Sequence, residues 1–454
     1  MDGAAGSESL TALSGCHRPF SLPPPASHMR NQLPGRGRPC RTDPEPENPL
    51  NVMTTDNASR ATIGQVLAYG EFRALWLAHA LSLAGDQIAR VAIAVLVFGR
   101  TGSISLTALT YALTLVPALI SGPLLAGLAD RHPRRQVMIV ADVVRAALVL
   151  AMACPGLPLP VVGVLVVAVV MLNAPFNAAR LASLADVLPA AQHPIGMGIT
   201  STTQQAVQLL GFGGGGLIVA MLGPNVALVA NAATFVVSAA VIRAFVRHRP
   251  ASSSSEHANN RLTRSALGGI RMVWTNRRLR YFATLSWLYS FFVVPEALAV
   301  PYFAQIGEST AYVGLFMAAD PVCSAVGTLL ITRLVPEAGR ARLLAPMALA
   351  VGFPLLLFAF QPGLPLSLLL LGATGFLSSY MVLAHTGFIR TAPDDRRGQV
   401  IGVGSAGLIG GQGLGVLLAG LLGDLLGAHL AIATCAAAGI LTAIAITTSG
   451  RRSS

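Results

Sequence analysis

Apolar stretches of about 20 residues recur along this chain from Phe72 onward, separated by short polar intervals. Each is long enough to cross a bilayer as a helix. The pattern predicts spans at 73–99, 105–129, 136–154, 160–179, 196–221 and 225–246. After a polar interval it predicts six more, at 280–305, 310–334, 342–361, 364–389, 397–422 and 427–449. The fold class that follows is all-α integral membrane, with twelve transmembrane helices in two sets of six. Residues 1–60 are a different polymer, rich in Pro, Arg and polar groups and without apolar periodicity. They predict a disordered tail or an over-called start, because Met53 opens an ordinary cytoplasmic-looking N-terminus. The expected organisation is the tail 1–60, an N-terminal six-helix bundle 61–246, a cytoplasmic linker 247–279 and a C-terminal bundle 280–450. Within the linker, Leu267, Ile270 and Trp274 share one helical face, which predicts a short amphipathic helix at the membrane surface.

Composition agrees with the pattern. The chain is 53% hydrophobic and 11% charged, with a mean hydropathy of +0.64, whereas soluble domains carry about 25% charged residues. The net charge of +12 does not point to nucleic acid, because the 31 basic residues, all Arg, fall between apolar runs and not on one face. With the N-terminus in the cytoplasm, inner segments collect Arg131, Arg134, Arg135, Arg180, Arg243 to Arg280, Arg333, Arg340, Arg342, Arg390, Arg396 and Arg397. Outer loops hold Arg100 and essentially nothing else. This bias predicts a multi-pass plasma-membrane protein with both termini cytoplasmic. Cys16, Cys40, Cys154, Cys323 and Cys435 have no metal or disulfide spacing. Without Lys no Walker A motif is possible, and "GVGSAG" at 402–407 lies inside a span with no preceding strand. No metal, no cofactor and no enzymatic chemistry are expected.

The two sets of six repeat each other. An offset of 204 pairs Pro189 with Pro393, Gly198 with Gly402, Ser201 with Ser405 and Gln208 with Gln412. It also pairs Gly211 with Gly415, Gly216 with Gly420 and Leu217 with Leu421, without a gap. An even number of helices per copy makes the repeats parallel.

These features carry a resemblance to a known family. "GLADRHPRRQ", between the second and third spans, is similar to the loop signature of the major facilitator superfamily through Gly127, Asp130, Arg131, Arg134 and Arg135. Pro133 stands where that signature has Gly, and the second copy, "ITRLVPEAGR", has Val335 where Asp130 stands. The first span and the stretch from Leu188 to Ala239 resemble the branch that contains enterobactin exporters and macrolide-efflux proteins. The resemblance implies a secondary active transporter working by alternating access, in which this loop is a gate. Its arginines would bind carboxylates or helix ends of the other half, though alone they also serve as positive-inside markers. In exporters of the family the fifth helix commonly reads Gly-Pro and then paired Gly. Here Phe212 occupies the Pro position, and Gly211, Gly215 and Gly216 are expected to let helices approach closely.

Ionisable groups at membrane depth cost several kcal/mol and need a reason. Asp86 and Arg90 are four apart in the first span, where they share a face and can pair. Asp86 therefore has two readings, a proton- or cation-binding carboxylate and half of a structural ion pair. Asp142 and Arg145 in the third span read as partners of the gating loop. Glu296 lies between Pro295 and Pro301, and Asp320 precedes Pro321. Neither has an arginine nearby in sequence, so both are candidates for protonation-linked transport. His79 and His385 are expected to pack, and Asn173, Asn177 and Gln208 either line a cavity or bridge helices. Drug/proton exporters of the family often carry an Arg in the fourth helix; here only Arg180, at the cytoplasmic end of the span, stands there, and it is expected not to be buried. The function expected is proton-coupled efflux of a hydrophobic or amphipathic small molecule. The alternatives are an importer or facilitator and a non-transporting sensor with the same fold. The partners implied are the substrate, protons and the lipid bilayer, and a monomer is compatible with the pattern.

Overall fold

The polar interruptions between apolar runs become turns, and the runs become helices packed side by side. The computed structural model describes residues 62–125, 128, 132–249, 268–393 and 396–451, where all regular structure is helical. The tail 1–60 lies outside the described residues. A short helix Ile63–Ala68 precedes α1 (Gly70–Thr101), α2 (Ile104–Gly122), α3 (Arg134–Met152), α4 (Leu159–Val187), α5 (His193–Leu222) and α6 (Pro224–Phe245). The second set is α7 (Arg277–Ala297 with Ala299–Ile306), α8 (Val313–Leu334), α9 (Gly339–Phe360), α10 (Leu364–Thr391), α11 (Arg397–Leu426) and α12 (Ala428–Arg451).

Among the described residues ten of these helices are long and apolar enough to cross a membrane, and α7, bent by 45°, is an eleventh. The twelfth is α3, whose apolarity is lowered by Arg134, Arg135, Asp142 and Arg145. Its 19 residues extend roughly 28 Å, close to the hydrocarbon thickness of ~30 Å. Its Asp142 and Arg145 are turned inward and buried, away from any lipid-facing surface. Large apolar side chains such as Leu124, Val164, Leu210, Met221, Leu369 and Leu425 face outward instead, as a lipid-facing belt requires.

The repeat is visible in the backbone. α5 and α11 are each 30 residues long and start 204 positions apart, at His193 and Arg397. Each ends in a glycine with positive φ, Gly223 at 83° and Gly427 at 89°. Both donate their N–H to the carbonyl four residues back, on Val219 and Gly423. A side chain would strain either turn.

Proline explains the breaks. α2 turns irregularly over 114–116 ahead of Pro117. In α7 the ring of Pro301 has no N–H for the Ala297 carbonyl, and the helix bends at Leu298. Residues 268–275 are helical with Ile270 and Trp274 exposed, while Leu267 lies outside the described residues. Trp274 also rests against Trp287 of α7, with ring centroids 6.2 Å apart.

Two seams join the halves. α5 packs on α8, and α11 packs on α2. At the first, a Cβ on Gly216 would lie 2.5 Å from the backbone nitrogen of Gly314. At the second, a Cβ on Gly420 would lie 2.4 Å from that of Ala108 and 3.1 Å from the Ser105 Cα. Gly216 and Gly420 are repeat equivalents, so one small residue makes both crossings. Gly211 and Gly215 instead lie against Gln87 and Ile88 of α1.

A methyl group on Gly314 would meet the Phe212 carbonyl at 2.2 Å, so backbone must move. Gly314→Ala is expected to destabilise the protein by about 1–3 kcal/mol, read as a lower unfolding temperature in detergent. Gly213→Ala, where nothing lies within 4 Å, is expected to match wild type. Equal unfolding temperatures for the two variants would show that the crossing is not tight.

Candidate functional site

Two groups of buried charge stand out, one between the halves and one inside the first half. Between the halves, the bend of α7 presents Glu296 toward α2. Its Oε2 accepts a hydrogen bond from the Tyr111 hydroxyl at 2.9 Å, so one bond links the two halves directly. Seven residues earlier on α7, the Tyr289 hydroxyl donates to Oδ2 of Asp320 on α8 at 3.0 Å. Glu296 is 9% exposed and Asp320 4%. The other Asp320 oxygen has no hydrogen-bond partner among the described residues. α10 presses on this position, since a Cβ on Gly375 would meet the Asp320 carbonyl at 2.2 Å.

Among the described residues neither carboxylate forms an ion pair. Arg90 and Asp320 act on Glu296 only at longer electrostatic range. A carboxyl group in such a place is hydrogen-bonded but not neutralised, and a proton is its simplest charge partner.

The second group corrects the pairing expected from α1 alone. Asp86 does not pair with Arg90. Its two oxygens accept from Nη2 of Arg145 at 3.2 and 2.9 Å. Nη1 of Arg145 reaches Ser82 at 3.1 Å and Asp142 at 3.4 Å. The other Asp142 oxygen accepts from Ser238 of α6 at 2.5 Å. The guanidinium also lies over the Phe235 ring, 4.0 Å from its centroid, an arrangement that favours a desolvated cation. The Arg145 side chain has no exposed surface, whereas that of Asp86 is 22% exposed. Asp142 and Arg145 were expected beside the gating loop, but their partners lie on α1 and α6 within the bundle. The reason is geometric: packing brings Ser82, Asp86 and Ser238 to α3, so both terminal nitrogens of Arg145 find their partners on α1 and α3 within the bundle.

Asp86 and Arg90 both line a cavity of about 50 Å³ with Thr114, Asn173 and Asn231. That is room for water and far below the ~300 Å³ of a typical small-molecule site. Asn173 therefore lines a cavity in this conformation, and Arg90 has neither an ion pair nor a hydrogen-bond partner among the described residues.

Of the gating-loop residues, Gly127, Asp130 and Arg131 lie outside the described residues. Arg134 donates to the Ala182 carbonyl at 2.9 Å and pairs with Asp186. Arg135 donates to the Arg243 carbonyl. These contacts tie the start of α3 to α4 and α6. Nearby, Glu71 accepts from both Arg249 nitrogens at 2.9 and 2.8 Å and from the Arg247 amide at 2.7 Å. Its hydrogen bond to Glu71 holds the Arg249 guanidinium above the ordinary arginine range. The two tyrosines were missed by sequence reasoning. Only the seven-residue spacing from Tyr289 to Glu296, two helical turns on one face, could have signalled one of them.

Arg145 serves two carboxylates, so removing it strands both. Arg145→Met is expected to cost about 3–5 kcal/mol and to abolish recovery of monodisperse protein. Adding Asp86→Asn and Asp142→Asn to it should restore most of that recovery. Normal recovery of the single variant would contradict the shared pair.

Comparison with known proteins agrees with this architecture. The chain is 30% identical over 362 residues to the multidrug efflux pump Tap of Mycolicibacterium fortuitum, covering 76% of this chain and 87% of that protein. It is 34% identical over 77 residues to macrolide efflux protein A of Streptococcus pyogenes, covering 17% and 19%. The crystal structure of the nucleoside transporter NupG is similar in fold, with a TM-score of 0.63 and 14% identity over 83% of this chain and 98% of that one. The Major Facilitator Superfamily profile matches residues 75–295 and 296–452. With six helices in each of two repeated halves and that match across both, the chain belongs to the Major Facilitator Superfamily and is a multi-pass membrane transport protein, not an enzyme.

Proposed function

We propose that this protein exports a hydrophobic or amphipathic small molecule in exchange for protons, by alternating access across a plasma membrane. The observation that carries the proposal is the Tyr111–Glu296 hydrogen bond between α2 and α7. A carboxylate accepts that bond well, and a protonated carboxyl group accepts it less well, so the charge on Glu296 bears on how the halves meet. Asp320, held by Tyr289 on the adjoining helix, is a second carboxylate for the same exchange. Asp86 and Arg90 line the neighbouring cavity and supply a further charged wall. The direction of transport is taken from the similarity to the multidrug efflux pump Tap and macrolide efflux protein A.

In this reading 61–246 and 280–450 are the two bundles that rock against one another, with 247–279 as their linker. The Arg-rich end faces the cytoplasm, as the positive-inside bias predicts, and both termini lie there. Gly127, Asp130, Arg131, Arg134 and Arg135 form the gate at that end. Asp142 and Arg145 hold the interior of the first bundle that carries this gate. Gly211, Gly215 and Gly216 let α5 slide against α1 and α8.

Everted vesicles holding a pH gradient test the proposal. Adding an amphipathic substrate, with a macrolide as the first probe, is expected to dissipate the gradient in vesicles that contain the protein. Glu296→Gln and Asp320→Asn are each expected to slow that dissipation at least ~10-fold, as for loss of a group that carries the transferred proton. Substrate uptake without loss of the gradient, together with wild-type rates in both variants, would overturn the proton coupling.

A further inference from the structure

The end of the molecule away from the Arg-rich loops is fastened by a contact that neither the family match nor the carboxylate site explains. Asp424, in the last turn of α11, reaches across to the start of α2. Its Oδ1 accepts the Ile104 amide at 2.7 Å. Its Oδ2 accepts the Ser105 amide at 3.2 Å and the Ser103 hydroxyl at 3.1 Å. The first amides of a helix have no partner inside it, and its N-terminus favours a negative charge. Here those amides are served by a residue of the opposite half, some 320 positions away in sequence. Ser103 itself accepts the Leu106 amide at 3.2 Å, so the cap is completed jointly by the two halves.

Two further observations bear on the contact. Gly420, one turn before Asp424, lets α11 approach α2 to backbone distance, and Gly423 lies against Ile104. In addition, the device occurs at one seam and not at its equivalent. The offset of 204 that relates Gly216 to Gly420 relates Ala220 to Asp424, and alanine cannot cap. At that seam the start of the helical run into α8 receives the hydroxyl of its own Ser309, which accepts the Ala311 amide at 3.3 Å.

We infer that Asp424 is a latch: by capping α2 from the other half, it holds this end of the transporter closed and sets the balance between the two access states. This rests on the alternating-access reading. Asp424 is surface-exposed, so on opening, water replaces the amides at the carboxylate and the carboxylate at the amides. The latch is therefore weak and reversible, as a contact broken in every cycle must be. A helix cap of this kind shifts a two-state ratio about five-fold.

The test reads conformation at the other seam, so that local fraying of α2 does not register. Nitroxide labels are placed at Leu222 on α5 and Tyr312 ahead of α8, both exposed, in a cysteine-free background reconstituted in nanodiscs without substrate. Pulsed dipolar spectroscopy then gives the ratio of long to short distances. Asp424→Ala is expected to raise that ratio about five-fold. Asp424→Asn should raise it by less but measurably, because both oxygens accept and its NH₂ would face a donor. Glu308→Ala, which removes another carboxylate at this end, should leave the ratio unchanged. A wild-type ratio in Asp424→Asn, or an equal shift in Glu308→Ala, overturns the latch even if Asp424→Ala does not fold. The distance readout needs neither substrate nor proton gradient, so its failure is distinct from failure of proton-coupled efflux.

Discussion

In hydrocarbon an ionised side chain has to find its partner inside the protein, and this constraint organises the structure around Arg145. Moving a guanidinium out of water costs far more than one weak contact returns. Arg145 meets the cost with two carboxylates, a hydroxyl and an aromatic face at once. α3 could not otherwise cross a membrane with its charges. Because its partners lie on α1 and α6, the same interaction fixes the inner packing of the first bundle and orients the cavity wall that carries Asp86.

Glu296 at the seam and Asp320 on the adjoining helix are handled differently. Glu296 and Asp320 receive one tyrosine hydroxyl each and no cation among the described residues. A carboxylate held directly by a guanidinium, as Asp142 is by Arg145, is a permanent fixture. A hydrogen-bonded but unneutralised carboxyl group at a seam is not, and in the proposed exchange its charge changes as the seam opens. The same contrast recurs in the backbone: Gly216 and Gly420 make crossings close but without side-chain interlock, which suits surfaces that part and rejoin.

Much of this was legible in the sequence. The 20-residue apolar rhythm predicts the helices, and the offset of 204 predicts that α5 and α11 are copies; the structure extends the match to the turns at Gly223 and Gly427. Pro295 and Pro301 mark the bend that presents Glu296. The pairing of charges was not legible. Asp86 and Arg90 are neighbours on one helix face, which made them the obvious pair, yet Arg145 takes Asp86 from 59 positions away. Side-chain partners across helices depend on rotation and depth, which apolar periodicity does not encode. For the same reason Tyr111 read as one apolar-run residue among many, and Asp424 as a polar residue at the end of a span.

The central claim is that Glu296 takes up and releases a proton where the halves meet. Infrared difference spectroscopy of the purified protein across a pH titration observes that proton directly, through the C=O stretch of a protonated carboxyl group. The account predicts a carboxyl band that grows as pH falls and is missing from Glu296→Gln. A pH titration with no such band, or one whose band is unchanged in Glu296→Gln, would contradict it.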